Sequence, residues 1–389
     1  MTYCEVKRFL DQHTDVVELA DGAGARVAVC PAWVGRVMTS TCGGPDGPSF
    51  GYVNRGFIEY GKPDPKFSNY GGEERMWLSP EGGQFSLWFR QGTNQTMDNW
   101  FTPAPLNEGA WKVTSAGDLP ECRMETRMTL QNASGTELEF DVARDVRLLD
   151  AGRFEQLFGV PAAKIVAGGG VQMVAYETAN AITNRGADMT PEAGLVSIWI
   201  LGMLNPSPET VVVVPYRPGK LAEFGPVVKT NYFGQIPPQR VRIVPEAVLF
   251  LADSRHRSKI GTSQRRARNV LGSIDFAGGT LTVAQFTMPE EPVEQRYMNN
   301  MWQASLTDPY VGDVANSYND GPSEPGGAGM GSFYEIESLS PAAALKTGET
   351  LEHCHRTVHF QADPETLSAL SKAILGIDLP TVGGEMLRR

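Results

Sequence analysis

Along most of its length the sequence repeats one pattern: a short run rich in β-branched and aromatic residues, then a break of Gly, Pro, Asn or Asp. A chain broken this often has no room for long helices, and its runs read as strands. The runs are 15–19, 25–30, 36–41, 85–89, 110–115, 123–131, 137–148, 170–178, 195–203, 210–216, 247–251 and 280–288. The breakers, 42 Gly and 27 Pro, are spread through the chain rather than pooled in a linker. No fixed-period repeat is present, which argues against a propeller or solenoid. Helices are expected only at 5–13, where Val6, Phe9 and Leu10 share a stripe, at 152–158, and near 363–375. The last has Asp363 as cap, Pro364 at its first position, Gly376 as stop and Leu367, Leu370 and Ile374 as buried stripe. The expectation is one all-β domain of packed antiparallel sheets over residues 1–389, with a C-terminal helix near 363–375.

The richest stretch chemically is 331–360. Its first half alternates with period 2, so Tyr334, Ile336 and Ser338 face one way and Phe333, Glu335, Glu337 and Leu339 the other. Pro341 ends that strand, because it has no N–H for a ladder. A turn at 346–349 leads to a second strand, 350–360, whose odd positions put His353, His355, Thr357 and His359 on one face. A carboxylate and an imidazole held near one substrate are the tools of acid–base catalysis. The same groups would equally serve a solvated or self-paired sheet face.

The order Glu337, Pro341, Leu345-x-x-Gly348-Glu349, Thr357-x-x-Phe360 resembles the C-terminal end of galactose mutarotase-like proteins. A looser similarity runs through 69–84 and 176–184. The resemblance implies a galactose mutarotase-like β-supersandwich with few short helices, a carbohydrate ligand, and a strand carrying a catalytic Glu. Thr347 stands where the family usually has Pro, and the Glu carry-over is ambiguous between Glu335 and Glu337, with Glu337 nearer the family's spacing to Pro341. By the same resemblance, Glu337 would take the anomeric proton with Glu335 beside it, and His355 would protonate the ring oxygen. The stretch Trp199–Asn205 occupies the place of a central family strand but lacks that strand's His. This leaves open mutarotase or epimerase chemistry, a related lyase or glycoside-processing activity, and a non-catalytic carbohydrate-binding protein of the same fold.

Two further segments are candidates for the ligand. In 69–84, paired glycines allow close backbone approach, and Asn69, Glu73, Arg75, Trp77, Glu81 and Gln84 supply an aromatic platform and polar groups. A Gly-rich turn with Trp77 in the core is the plainer reading of the same residues. In 251–261, Arg257 and Lys259 share a face if the chain is extended, and could clamp a hydroxyl-rich or acidic ligand. The polar run 316–322 reads first as a turn. His353-x-His355 with Glu337 or His359 could hold a metal ion, yet no metal or other cofactor is assigned. The expected partner is a small-molecule carbohydrate, and the oligomeric state is not legible.

Charge and cysteine usage exclude other classes. The 34 basic and 45 acidic residues give a net charge of −11 with no long basic run, which disfavours nucleic acid. No run approaches the length of a membrane span, and the N-terminal residues lack the apolar core of a secretory signal. Five cysteines without a C-x-x-C pair fit a reducing cytoplasm.

Overall fold

The computed structural model describes residues 1–115, 121–291, 295–322 and 327–387. The strands among them, in chain order, are β1 Val17–Ala20, β2 Arg26–Cys30, β3 Arg36–Thr41, β4 Arg75–Ser79, β5 Lys112–Ser115, β6 Glu121–Gln131, β7 Glu137–Leu148, β8 Gln172–Asn184, β9 Ser197–Leu204, β10 Thr210–Pro215, β11 Val241–Val244, β12 Ala247–Leu251, β13 Ser258–Ser263, β14 Val270–Asp275, β15 Thr280–Phe286, β16 Asp313–Asn319, β17 Tyr334–Leu339 and β18 Thr350–Gln361. They form a ten-stranded sheet in the order β11-β12-β10-β14-β15-β18-β8-β7-β6-β5, a five-stranded sheet in the order β13-β16-β17-β9-β4, and a three-stranded sheet β1-β2-β3. The fold is all-β with few short helices, as the broken pattern of the sequence requires.

One face of the ten-stranded sheet packs on the main core; the other is covered by the C-terminal helices near β10, β14 and β15 and is open to solvent along β6 and β7. Strand β10, third from one edge, reads Thr-Val-Val-Val-Val-Pro and is buried throughout. Period 2 divides that run between two cores: Val212 and Val214 enter the main core against the five-stranded sheet, while Val211 and Val213 enter a second core under the C-terminal helices. Each fully buried valine contributes roughly 1.5–3 kcal/mol, an upper bound because the unfolded chain already hides some surface. The helix Pro364–Leu375 closes the second core with Leu367 and Leu370, and Asp363 caps it by accepting from the amides of Glu365 and Thr366. The N-terminal helix Tyr3–Asp11 packs Val6, Phe9 and Leu10 against Ala28, Cys30 and Met38 of the small sheet. Among the described residues no helix is long and apolar enough to cross a membrane.

Several expectations change, and helices also form beyond the three places expected, among them Arg55–Tyr60, Val160–Ala167 and Leu379–Met386. The run 85–89 is not a strand; Phe85, Leu87, Trp88 and Phe89 fill the core from irregular chain. The polar run at 316–322 is mostly strand β16, with the buried side chains of Ser317 and Asn319 bonded to neighbouring chain and Asn316 Nδ2 donating to Tyr232 while its Oδ1 has no partner. The two strands of 331–360 do not pair with each other: β17 lies between β16 and β9 in the five-stranded sheet, and β18 between β15 and β8 in the ten-stranded one. The connection at 340–349 carries the chain from one layer to the other.

Candidate functional site

Register across the five-stranded sheet builds the site. Lys259 pairs with Tyr318, Tyr318 with Glu335; Asn316 pairs with Glu337, Glu337 with Leu201, and Leu201 with Arg75; Leu339, Trp199 and Trp77 form the next row. Alternation therefore sets Lys259, Tyr318, Glu335, Glu337, Trp199, Arg75 and Trp77 on one face, and Ile336, Ser338, Ile200 and Met76 on the other. The second face packs on the ten-stranded sheet. The first is the floor of a pocket lined by Arg75, Trp77, Trp199, Lys259, Tyr318 and Glu335. Its walls are Glu81, Trp100, Phe67, Phe233, Arg257 and Trp302 from connecting segments. Four of the chain's seven tryptophans thus face one cavity.

The floor is ionic as well as aromatic. Arg75 Nη2 donates to Glu335 Oε1 at 2.8 Å, and its guanidinium lies 4.2 Å over the Trp77 ring. Lys259 Nζ donates to Glu337 Oε2 at 2.8 Å and sits 4.9 Å from the Trp199 ring centre, while Trp199 Nε1 donates to the same carboxylate oxygen at 2.9 Å. Glu81 Oε1 accepts from Trp100 Nε1 at 3.0 Å. Three buried groups keep unused capacity: Arg75 Nε and Nη1 have no acceptor, and Glu337 Oε1 has no donor. A buried polar atom without a partner is costly, and a ligand in the pocket can repay that cost.

Burial pushes the Glu337 carboxyl above its ordinary value, with Lys259 pulling it down and Glu335 pushing it up. Glu81 is raised for the same leading reason, again opposed by Lys259. Burial would lower the Lys259 ammonium, but Glu337 and Glu81 outweigh it and hold it above its usual range. One ammonium is thus set among carboxyls whose protonation is easier than in water, an arrangement able to hold and hand on a proton.

Of the residues singled out in the sequence, the structure brings together Arg75, Trp77, Glu81, Arg257, Lys259 and Glu335 on the pocket lining, with Glu337 fully buried beneath it. Asn69 lies at the edge, its Nδ2 donating to the carbonyl of the lining residue Met330 at 3.0 Å. Gly71 has a left-handed φ of 83° and a Cβ there would collide with the Tyr52 carbonyl, so the paired glycines do permit close approach. Two other residues of that segment lie elsewhere. Gln84 bonds both ways with the backbone of Leu306. Glu73 points between the sheets, where its Oε1 meets Ser40, Tyr176 and His359.

His355 is the main correction. It was expected to share a pocket with Glu337, but it projects from β18 into the space between the two large sheets, on the far side of the five-stranded sheet. There its Nδ1 and the Nε2 of His353 both bond Ser338 Oγ at 2.8 Å. Ser338 is one residue from Glu337 and so faces the opposite way. Burial lowers His353 to about 3 and His355 well below its ordinary value, so these imidazoles are neutral rather than held charged beside carboxylates. The H-x-H pair shares a serine, and among the described residues no group of three or more His, Cys, Asp or Glu is placed to hold a metal ion.

Sequence reasoning missed Trp100, Trp302 and Phe233, which come from three separate segments, and read the run holding Tyr318 first as a turn. Trp199 was noted only for the histidine it replaces. The available signal was the number of tryptophans on chain otherwise rich in turns.

The sequence pattern of one family, described as a family of unknown function (DUF6786), matches residues 1–386, and the chain belongs to that family. No curated protein matches the sequence. Among solved structures, the Slr1438 protein of Synechocystis sp. PCC 6803 aligns at TM-score 0.50 and 11% identity over 90% of this chain and 96% of its own, and shares the fold. An Escherichia coli K12 protein described as a "Putative aldose 1-epimerase" aligns at TM-score 0.49 and 12% identity over 90% and 99%. The expected all-β architecture of large packed antiparallel sheets with short helices is the fold of this chain.

Proposed function

We propose that this DUF6786 protein is carbohydrate-active: it binds a sugar in the pocket on the outer face of the five-stranded sheet and performs acid–base chemistry on it, of the isomerase or mutarotase kind. The carrying observation is the convergence of Trp77, Trp100, Trp199 and Trp302 with Glu335, Glu81, Arg75 and Lys259 on one cavity. Flat rings suit the CH faces of a pyranose, and fixed polar groups suit its hydroxyls. In this reading Glu335, on the lining, exchanges a proton with the substrate. Glu337, beneath it, is a positioning residue that holds Lys259. Glu81 takes the proton-donor place that His355 does not reach. A cytoplasmic setting belongs to the same reading, and all five cysteines are free thiols.

The test is Glu335→Gln assayed on a panel of aldoses by NMR exchange between anomers. Loss of ~10²–10⁴-fold in rate with sugar affinity retained is the expected result. Unchanged rate removes Glu335 from the chemistry, and no binding of any sugar to the wild type removes the carbohydrate reading. One observation favours a binding-only protein: Glu335 and Glu337 are both engaged in short ion pairs, which ties down the groups a base must free. Wild-type binding without turnover of any panel sugar, matched by Glu335→Gln, would establish that alternative.

A further inference from the structure

The geometry points to a sugar acid as ligand: a sugar bearing a carboxylate, held by Arg257 with help from Arg75. This rests on the carbohydrate reading of the pocket and narrows it.

The argument is a count of donors and acceptors. Arg75 is spent on Glu335 and Lys259 on Glu337, each through one short bond. Arg257 also faces the pocket, stacked 4.1 Å over the Phe233 ring, and among the described residues no carboxylate lies within ion-pair distance of it. Arg75, only 4% exposed, has Nε and Nη1 unpartnered. Guanidinium groups only donate, so hydroxyls satisfy them partly and an anion satisfies them fully. On the acceptor side, the buried oxygens without a donor near the site are Glu337 Oε1, Asn316 Oδ1 and Asn69 Oδ1, and none of these residues is on the pocket lining. Among the described residues the site thus has surplus donors on two guanidinium groups, Arg257 and Arg75, which an anionic group on a pyranose would fill.

The anion is a carboxylate rather than a phosphate ester. Glu335 and Glu81 line the same cavity, and a doubly charged phosphate would add a second negative charge beside them. A planar carboxylate brings one charge and matches the guanidinium fork.

Calorimetric titration of the wild-type protein with D-glucuronate, D-galacturonate, their neutral parents glucose and galactose, and glucose 6-phosphate tests this. At least one uronate should bind about tenfold or more tighter than its parent, and added NaCl should shrink that ratio. Arg257→Gln should bring the ratio close to one, and Arg257→Lys should keep part of it. An equal melting temperature for both variants shows that the fold is intact. Uronates no tighter than their parents, a ratio unmoved in Arg257→Gln, or tighter binding of glucose 6-phosphate each overturn the inference while leaving the carbohydrate reading standing. Absence of binding by every sugar overturns both.

Discussion

The two faces of the five-stranded sheet hold comparable chemistry in opposite conditions. On the outer face, Glu335, Glu337, Arg75 and Lys259 form the floor of an open pocket and leave donors and an acceptor unused. On the inner side, between the two large sheets, Glu73, Glu74, Arg144, His353, His355 and His359 are at most 2% exposed. Their bonds run to one another and to neighbouring side chains: His359 Nε2 to Glu73 at 2.9 Å, its Nδ1 to Thr282 Oγ1 at 2.8 Å, Arg144 to Glu74 at 2.8 Å and to Asn180 at 2.6 Å. Glu73 Oε2, Glu74 Oε2 and Arg144 Nε lack partners, as the outer atoms do, but they are sealed between the sheets rather than set at a pocket. The comparison teaches that acid–base residues mark a site only where a ligand can arrive. Five of the six inner groups would satisfy a sequence search for catalysis, and none lines the pocket.

The sharpest way to break the comparison is to remove one cation from each face. Arg144→Met leaves Glu74 buried with Thr178 as its remaining side-chain donor. Deleting one member of a buried ion pair costs about 3–5 kcal/mol. Arg75→Met removes a similar pair beside a cavity that admits water, and should cost about 1–3 kcal/mol. Urea unfolding of the two variants measures both. Equal losses would mean that the pocket floor is as sealed as the inner layer.

The next effect is pH dependence, which should come from the inner layer. His353 is lowered from the unfolded value near 6.5 to about 3, so the unfolded chain binds the extra proton between those limits. Stability is then fully present above pH 6.5 and falls as pH drops, by about 1.4 kcal/mol per pH unit for one such histidine. His355 is shifted the same way by burial and by His353. Glu74, Glu81 and Glu337 are raised, so the folded state binds more protons just above their ordinary range. That contribution runs the other way and offsets part of the fall below neutrality. Groups packed against His353 and His355 include Ser338, Thr287 and the Arg356 and Arg144 cations, the last two disfavouring a second charge. His353→Gln keeps the hydrogen-bonding character without the titration and should flatten the unfolding free energy between pH 6.5 and 5 by about 2 kcal/mol. A profile identical to wild type would show that His353 already ionises in the fold.

Much of this was legible. The alternation of 334–339 and 350–360 correctly put Glu335 with Glu337 and His353 with His355 and His359, because period 2 is a property of the backbone. What alternation cannot give is which layer each strand joins, and so which faces meet. Once β17 and β18 entered different sheets, Ser338 rather than Glu337 met the histidines. Strands β13 and β16 were hidden by their composition: Ser-Lys-Ile-Gly-Thr-Ser and Asp-Val-Ala-Asn-Ser-Tyr-Asn are poor in the residues strands favour. They are strands because sheet neighbours on both sides of β16 and a polar pocket above it make those side chains useful. Trp100 and Trp302 reach the pocket from irregular chain, where no periodicity reports direction.

The smallest effect sharpens the comparison from the ligand's side. Trp302 is partly exposed, lines the pocket, and packs edge-on with Phe89 at 5.3 Å and Phe233 at 6.0 Å. Trp302→Ala removes one wall of the proposed sugar platform and leaves the ionic floor in place. An aromatic contact of this kind is worth about 0.5–1.5 kcal/mol beyond area burial, so sugar affinity should fall by roughly three- to tenfold. His353→Gln, on the sealed side, should leave the same affinity unchanged, since its partners Ser338 and Thr287 face away from the cavity. Calorimetry on both variants with one sugar separates the two faces. Loss of affinity in His353→Gln as large as in Trp302→Ala would mean that the inner layer sets the shape of the pocket, and the division of labour between the faces would fail.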